Sequence, residues 1–270
     1  MIVPRFSARL VLLTLVLTLS IGSLAACGTG NGKTFDSPRL QQIQNNKKLV
    51  VGVALTAPFE SRDPQTGALV GFDIDLANKI AAELGVPIEW KELAFADLVP
   101  GLQAGNFDMV IAAMYITPAR QELVDMSQAY VDTGLVIVAR KEDVASLRTA
   151  ADLAGRKVGV KKGATGARYA EKLKAEGNTL IIQEYTDTVV SLDELGKGFI
   201  DAVLNDKINS IQYAKTHPEV AVSSEVLDPA GLGIAVRKGD ADLLNLINDV
   251  IKRMRSDGSM DQLYKQWISQ

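Results

Sequence analysis

From Lys47 onward, short runs of continuous apolar residues alternate with stretches whose apolar positions recur every three or four residues. The first pattern is that of strands buried on both faces, the second that of helices with one face on a core. Lys47 to Val53 (KKLVVGV) is a basic edge running into a buried strand, Pro58-Phe59 ends the segment after it, and 63–67 (DPQTG) is a turn. Gly71 to Gly85 (GFDIDLANKIAAELG) is a bounded helix, with Asp73 as expected N-cap, Ile74, Ala77, Ile80, Ala81 and Leu84 on one face, and a glycine stop before Pro87. A strand begins at Ile88 to Trp90. Phe95 to Ala104 reads as a helix, with Pro100 expected within its first turn.

The next stretch, Leu102 to Arg120 (LQAGNFDMVIAAMYITPAR), organises the reading. Gly105 closes the helix, Met109 to Ala113 is continuously apolar, and Thr117-Pro118 stops the strand. Arg120 then sets a planar cation just past the strand's end, where ligands collect in open α/β sheets. Such a fork suits a carboxylate, held by two parallel hydrogen bonds. Beyond it, Met126 to Tyr130 leads into a strand at Gly134 to Arg140; further strands are expected at Lys157 to Val160, Leu180 to Tyr185 and Gly231 to Val236. Helices are expected at Ala151 to Leu153, after Gly163-Ala164-Thr165-Gly166, at Val189 to Leu195, along Leu243 to Met254, and around Leu263 to Trp267. One pattern repeats: Leu102-x-x-Gly105-x-x-Asp108-x-Val110 returns as Leu195-x-x-Gly198-x-x-Asp201-x-Val203. Each copy comes after a Val-Gly-Val strand, at Val51 to Val53 and Val158 to Val160. Two α/β lobes on one plan are therefore expected.

Composition narrows the function. An apolar fraction of 47% over 270 residues supports real cores, and a net charge of −3 with both signs interspersed gives no basic stripe for nucleic acid. One histidine and one cysteine cannot supply the usual metal clusters or nucleophile triads, so no metal and no cofactor are expected. His217 precedes Pro218 in a polar turn and reads as solvated. At the amino end, Arg5 and Arg9 precede an apolar run, Leu10 to Ile21, of signal-peptide length, and Leu24-Ala25-Ala26-Cys27 comes next. A lone cysteine in an exported chain has no disulfide partner. The arrangement resembles the lipobox of bacterial lipoproteins, which implies a signal peptide over 1–26, acylation of Cys27, and a lipidated tether over 27–46 that opens with the flexible 28–33 (GTGNGK).

Four further features taken together, GFDIDLANKIAAELG, the strand-then-Thr-Pro-x-Arg stretch, Val160 to Gly166 (VKKGATG) and Asp201 to Asp206 (DAVLND), resemble family 3 of the bacterial extracellular solute-binding proteins, the amino-acid receptors of ABC importers. The resemblance runs from about Lys47 to Ile268. It implies an α/β, two-lobe periplasmic-binding-protein fold of type II, or Venus-flytrap form, with two crossing strands. Lobe one would be 47–138 plus 232–270 and lobe two 139–231, with crossings near Ala139-Arg140 and Ala230-Gly231. Its partners would be a small zwitterion, permease and ATPase subunits, and a membrane reached through the lipid, with the chain itself a monomer.

Carried over by position, the resemblance gives Arg120 the ligand carboxylate, with backbone groups of Ala113 and Tyr115 facing the ligand and Met114 between them. Phe95 would be an aromatic wall. Thr165 and Gly166 would offer helix N-terminal amides, Asp206 would receive the α-ammonium, and Lys161 would reach the ligand side chain. Asp206 also suits a helix cap. Two positions depart from the pattern: Val53 and Thr56 stand where many relatives carry an acid and an aromatic platform, which disfavours dibasic ligands. Tyr115 could supply a replacement ring. The implied ligand is a polar amino acid. Ala112 to Arg120 also resembles ectoine-binding relatives, so a compatible solute is the alternative. An enzyme like cyclohexadienyl dehydratase would need a protonated cleft carboxyl, for which Glu60, Glu184 and Asp206 are the candidates. An anchored sensor is a third reading.

Overall fold

The computed structural model describes residues 35–269. The expected signal peptide, Cys27 and the flexible run 28–33 lie outside the described residues.

In chain order the elements begin with α1 (Pro38–Asn45), β1 (Leu49–Val53), β2 (Ser61–Arg62), β3 (Leu69–Val70), α2 (Phe72–Leu84), β4 (Ile88–Glu92), α3 (Phe95–Gln103), β5 (Met109–Val110), α4 (Pro118–Leu123) and β6 (Asp125–Met126). They continue with β7 (Val131–Arg140), β8 (Lys157–Lys161), α5 (Thr165–Ala175), β9 (Ile181–Tyr185), α6 (Thr188–Gly196), β10 (Ala202–Asp206), α7 (Lys207–Ala214), β11 (Val220–Leu232), β12 (Ala235–Val236), α8 (Ala241–Ser256) and α9 (Ser259–Trp267). Two mixed five-stranded sheets result. The first has the order β4-β1-β5-β12-β6, the second β11-β7-β10-β8-β9. Each carries helices and its own apolar cores, so the molecule has two lobes.

The lobes are joined by one ribbon. Strands β7 and β11 pair antiparallel from Val131↔Leu232 to Val220↔Arg140. Val131 and Leu232 pack in the core of α2 and α8, whereas Leu135 to Ala139 pack in the cores of the second sheet. The expected crossing near Ala139-Arg140 therefore falls deep in the second sheet, and the chain passes from the first lobe's core to the second's between Val131 and Leu135. Composition alone reads the branched run 134–140 as one buried strand without saying whose.

The repeated pattern folds twice into the same clasp. Gly105 and Gly198 both take φ of +80°, closing their helices in the left-handed region. Three residues after each of these glycines, an aspartate grips the neighbouring strand. Asp108 exchanges bonds with Val50: its N–H donates to the Val50 carbonyl and its Oδ2 accepts the Val50 N–H, both at 2.8 Å. Asp201 does the same with Lys157, again at 2.8 Å twice. Each aspartate thus fixes the register of its lobe's central parallel strands, whose carboxyl ends then face the gap between lobes.

Several local expectations change. Gly71, not Asp73, is the N-cap of α2, and Asp73 lies fully buried inside the first turn. Pro100 is in the body of α3 and not in its first turn. Residues 38–45, assigned to a tether, form α1, whose Leu40 and Ile43 are buried. Arg39 secures it through Asp108 and Asp240, both at 2.8 Å. Of the expected apolar face of α8, Leu243, Ile247, Ile251 and Met254 are buried while Leu244 is half-buried, and Leu246 and Val250 complete the buried face.

Candidate ligand-binding cleft

Between the two sheets lies a narrow cleft, with about 50 Å³ open to the centre of a water molecule. Its walls come almost wholly from the carboxyl ends of strands and the first turns of the helices after them, where α/β sheets place their ligands. Thr56, Phe95, Ala112, Ala113, Tyr115 and Arg120 come from the first lobe. Leu135, Lys161, Ala164, Thr165, Gly166, Thr188, Leu204, Asn205 and Asp206 come from the second lobe and the joining ribbon.

Arg120 reaches the cleft by a short helix that the sequence pattern does not predict. Thr117 caps α4, its Oγ1 accepting the Arg120 N–H at 3.3 Å, and Pro118 takes the first helical position. This turns the Arg120 side chain inward, where it is 3% exposed. Its Nη1 donates to the Tyr115 carbonyl at 2.8 Å and to Thr165 Oγ1 at 3.5 Å, and its Nη2 donates to the Gly163 carbonyl at 3.3 Å. Gly163 and Thr165 belong to the other lobe. Lys161, at the end of β8, is 9% exposed, and its Nζ donates across the gap to Thr56 Oγ1 at 3.1 Å. Both cations lie over the Phe95 ring, the guanidinium 5.2 Å and the ammonium 5.0 Å from its centroid. Burial pushes both down from their usual ranges, with Arg168 adding to the effect on Arg120. Among the described residues neither cation makes an ion pair within 4.0 Å.

Among the described residues, Asp206 is the one acid lining the cleft. It ends β10 and caps α7, its Oδ1 accepting the Asn209 N–H at 2.9 Å, so the capping role expected of such an aspartate is also filled. Its Oδ2 accepts from Thr133 Oγ1 at 2.7 Å and from the Tyr115 hydroxyl at 2.8 Å, the second bond crossing between lobes. Burial pushes its carboxyl up, and these donors oppose the shift. In the same lobe, the N-terminus of the eleven-residue α5 opens on the cleft at Thr165 and Gly166. Gly166 is required there: a Cβ would stand 2.4 Å from the Leu204 carbonyl oxygen.

Nine of the ten expected ligand-site residues therefore line one cleft: Thr56, Phe95, Ala113, Tyr115, Arg120, Lys161, Thr165, Gly166 and Asp206. Met114 does not. Its side chain is fully buried in the core under α3, and its carbonyl accepts the Gly233 N–H at 2.9 Å. The chain bends here, beyond the end of β5, with Ala113 at φ of +44°, and the Met114 side chain turns into the core. The Ala113 N–H is likewise committed, to Asp73 Oδ2 at 2.8 Å. Thr188 and Asn205 line the cleft without having been expected there. Asn205 adjoins Asp206 in β10, and Thr188 opens α6 as Thr165, which the resemblance singled out, opens α5.

Of the other candidate acids, Glu60 is fully buried off the cleft and Glu184 is exposed on β9. No group of three or more His, Cys, Asp or Glu among the described residues is placed to hold a metal.

Comparison with known proteins places this geometry among relatives. Residues 49–270 match the family model for bacterial extracellular solute-binding proteins, family 3. The chain is 31% identical over 238 residues to the L-cystine-binding protein TcyJ of Escherichia coli (strain K12), covering 87% of this chain and 88% of that protein. It is 32% identical over 270 residues to the ABC transporter glutamine-binding protein GlnH of Bacillus subtilis (strain 168), covering 96% of both. Among solved structures, an ancestral arginine-binding protein bound to arginine is similar with a TM-score of 0.77 and 38% identity, over 82% of this chain and 98% of that one.

Proposed function

Because the chain belongs to family 3 of the bacterial extracellular solute-binding proteins, we propose that it is the capture component of an ABC importer and closes its two lobes on a polar amino acid. One observation carries this reading: the cleft holds two buried cations without ion-pair partners among the described residues, facing one buried carboxylate. An α-amino acid meets that demand. Its carboxylate suits Arg120 and the α5 amides, and its ammonium suits Asp206. That leaves Lys161 for the side chain, which must then offer a hydrogen-bond acceptor, an amide or a carboxylate. A dibasic side chain would bring a second cation to a buried ammonium. The chain thus differs in its expected preference from the arginine-binding neighbour.

Each lobe holds part of the contact set, so ligand favours the closed form by its differential affinity, and permease and ATPase subunits would read that form. The reading contains no chemical step: Asp206 is engaged by three donors and Glu60 stands off the cleft. The chain works as a monomer and is held at the membrane through acylated Cys27. Palmitate labelling of wild type, lost in Cys27→Ser, checks the anchor; labelling that survives the substitution contradicts it.

The function is tested by a thermal-shift panel of amino acids, ectoine and betaines, since a tight ligand raises the midpoint only by binding the native form. L-glutamine or an acidic amino acid is expected to shift it most. A shift with ectoine alone would replace the amino acid by a compatible solute. Lys161→Met tests the side-chain end: affinity for the amide or acidic ligand should fall about tenfold, the ~1.4 kcal/mol of one charge-assisted bond, while discrimination against L-arginine narrows. Unchanged ranking would remove Lys161 from the ligand.

A further inference from the structure

Beneath Ala113 of the cleft lining, two carboxyls are buried against each other, brought together where the Asp73 N–H donates to the Phe59 carbonyl at 3.0 Å. Glu60, on the turn after cis Ala57-Pro58, and Asp73, in the first turn of α2, are both 0% exposed. Asp73 Oδ2 accepts the Ala113 N–H and the Tyr130 hydroxyl, each at 2.8 Å. The other three oxygens, Glu60 Oε1 and Oε2 and Asp73 Oδ1, meet no N–H or O–H donor from the rest of the described residues. Buried acceptors left this way are costly, and two adjacent carboxylates cannot both be ionised cheaply. A proton carried by one of the pair removes one of the two charges and joins one oxygen of each carboxyl in a hydrogen bond.

We propose that Glu60 carries this proton and donates it to Asp73, and that the resulting pair is the positioning element that holds Ala113, and with it the cleft floor, in the shape the ligand meets. Ala113 is a non-glycine residue at φ of +44°, a conformation that needs an outside restraint, and the bond to Asp73 is that restraint. Ala113 lines the cleft and lies two residues from Tyr115, whose carbonyl holds Arg120 and whose hydroxyl holds Asp206. Through its other bond the pair also fixes Tyr130, one residue before the ribbon that joins the lobes. The inference rests on the cleft being the amino-acid site.

Burial pushes the Glu60 carboxyl well up, with Asp73 adding to it, while Lys161 from the other lobe pulls the other way. Burial also raises Asp73, opposed by Glu60, Ala113 and Tyr130, and Asp206 acts on Tyr130. The native pair keeps a proton that the unfolded chain, with Glu60 near 4.5, releases, so above that pH stability falls as pH rises toward the native value.

The test compares wild type with Glu60→Gln and Glu60→Leu in the full-length protein. At pH 7 the infrared spectrum of wild type should show a protonated-carboxyl band, shifted in D₂O, that is missing in Glu60→Gln. Gln still offers Asp73 a donor; Leu offers none. Ala113 amide exchange should therefore stay slow in Glu60→Gln and speed up at least tenfold in Glu60→Leu, and L-glutamine affinity should fall at least tenfold more in Leu than in Gln. The decline in stability above pH 4.5 should flatten in Glu60→Gln. A band that survives Glu60→Gln overturns the proton assignment, and slow Ala113 exchange in Glu60→Leu overturns the positioning role. The band and the exchange rate need no ligand, so they decide the inference even if no amino acid binds.

Discussion

Arg120→Ala should cost two to three orders of magnitude in amino-acid affinity, about 3 to 4 kcal/mol, with little loss of thermal stability. The two parts of that expectation come from the same geometry. Arg120 is 3% exposed and faces no carboxylate within ion-pair reach among the described residues, so in the protein alone it is a desolvated charge held by carbonyls of Tyr115 and Gly163. Removing a buried unpaired cation relieves desolvation nearly as much as it forfeits hydrogen bonds. The ligand carboxylate, by contrast, loses both parallel bonds at once and is left facing only the α5 amides. Titration calorimetry reads the affinity and a melting curve reads the fold. Unchanged affinity would mean that the guanidinium serves the closed structure and not the ligand.

Asp206→Asn should weaken binding by about 100-fold, roughly 2.7 kcal/mol, and again leave the fold in place. Asparagine caps helices as well as aspartate does, so the bond from Asn209 that starts α7 survives. The charge and the chemistry of the other position change: Oδ2 of Asp206 serves Tyr115 and Thr133, and with the amide oxygen kept at the cap an NH2 donor takes the place of Oδ2, where they and the ligand ammonium need an acceptor. A variant that melts normally and binds weakly separates the ligand role from the cap. A variant that melts early and binds normally reverses the assignment.

The two halves of the site are not equally legible in the chain. Arg120 stands out only beside the rest of the chain, since an arginine after a proline-stopped strand taken alone is more often a surface residue in a salt bridge, and the clasp by Asp108 and Asp201 stands out because its glycine and aspartate recur at fixed spacing. Its cause, a backbone exchange with the neighbouring strand, is long-range and leaves only the aspartate in the sequence. Met114 is misplaced by resemblance because family position assigns a segment, while the local bend at Ala113, set by long-range contacts, decides where each side chain within it goes. Glu60 and Asp73 read as a candidate acid and a helix cap because each is ordinary in its own stretch. Only the packing of the Glu60 turn on the start of α2 brings the two carboxyls together, through Phe72 and Asp73 N–H bonds to the Pro58 and Phe59 carbonyls. The extent of the joining ribbon is hidden for the same reason, since the pairing of Val131 with Leu232 spans about a hundred residues of chain.

The central claim is that the lobes close on both poles of one zwitterion, and titration calorimetry with three ligands tests it most directly: the best amino acid of the panel, its decarboxylated amine and its deaminated acid. The account predicts that the intact amino acid binds tightly and that each analogue, stripped of the group meant for Arg120 or for Asp206, binds at least about 100-fold more weakly, the loss of one charge-assisted pole. If either analogue binds as well as the parent, the pole it lacks is not held by this cleft and the account is wrong.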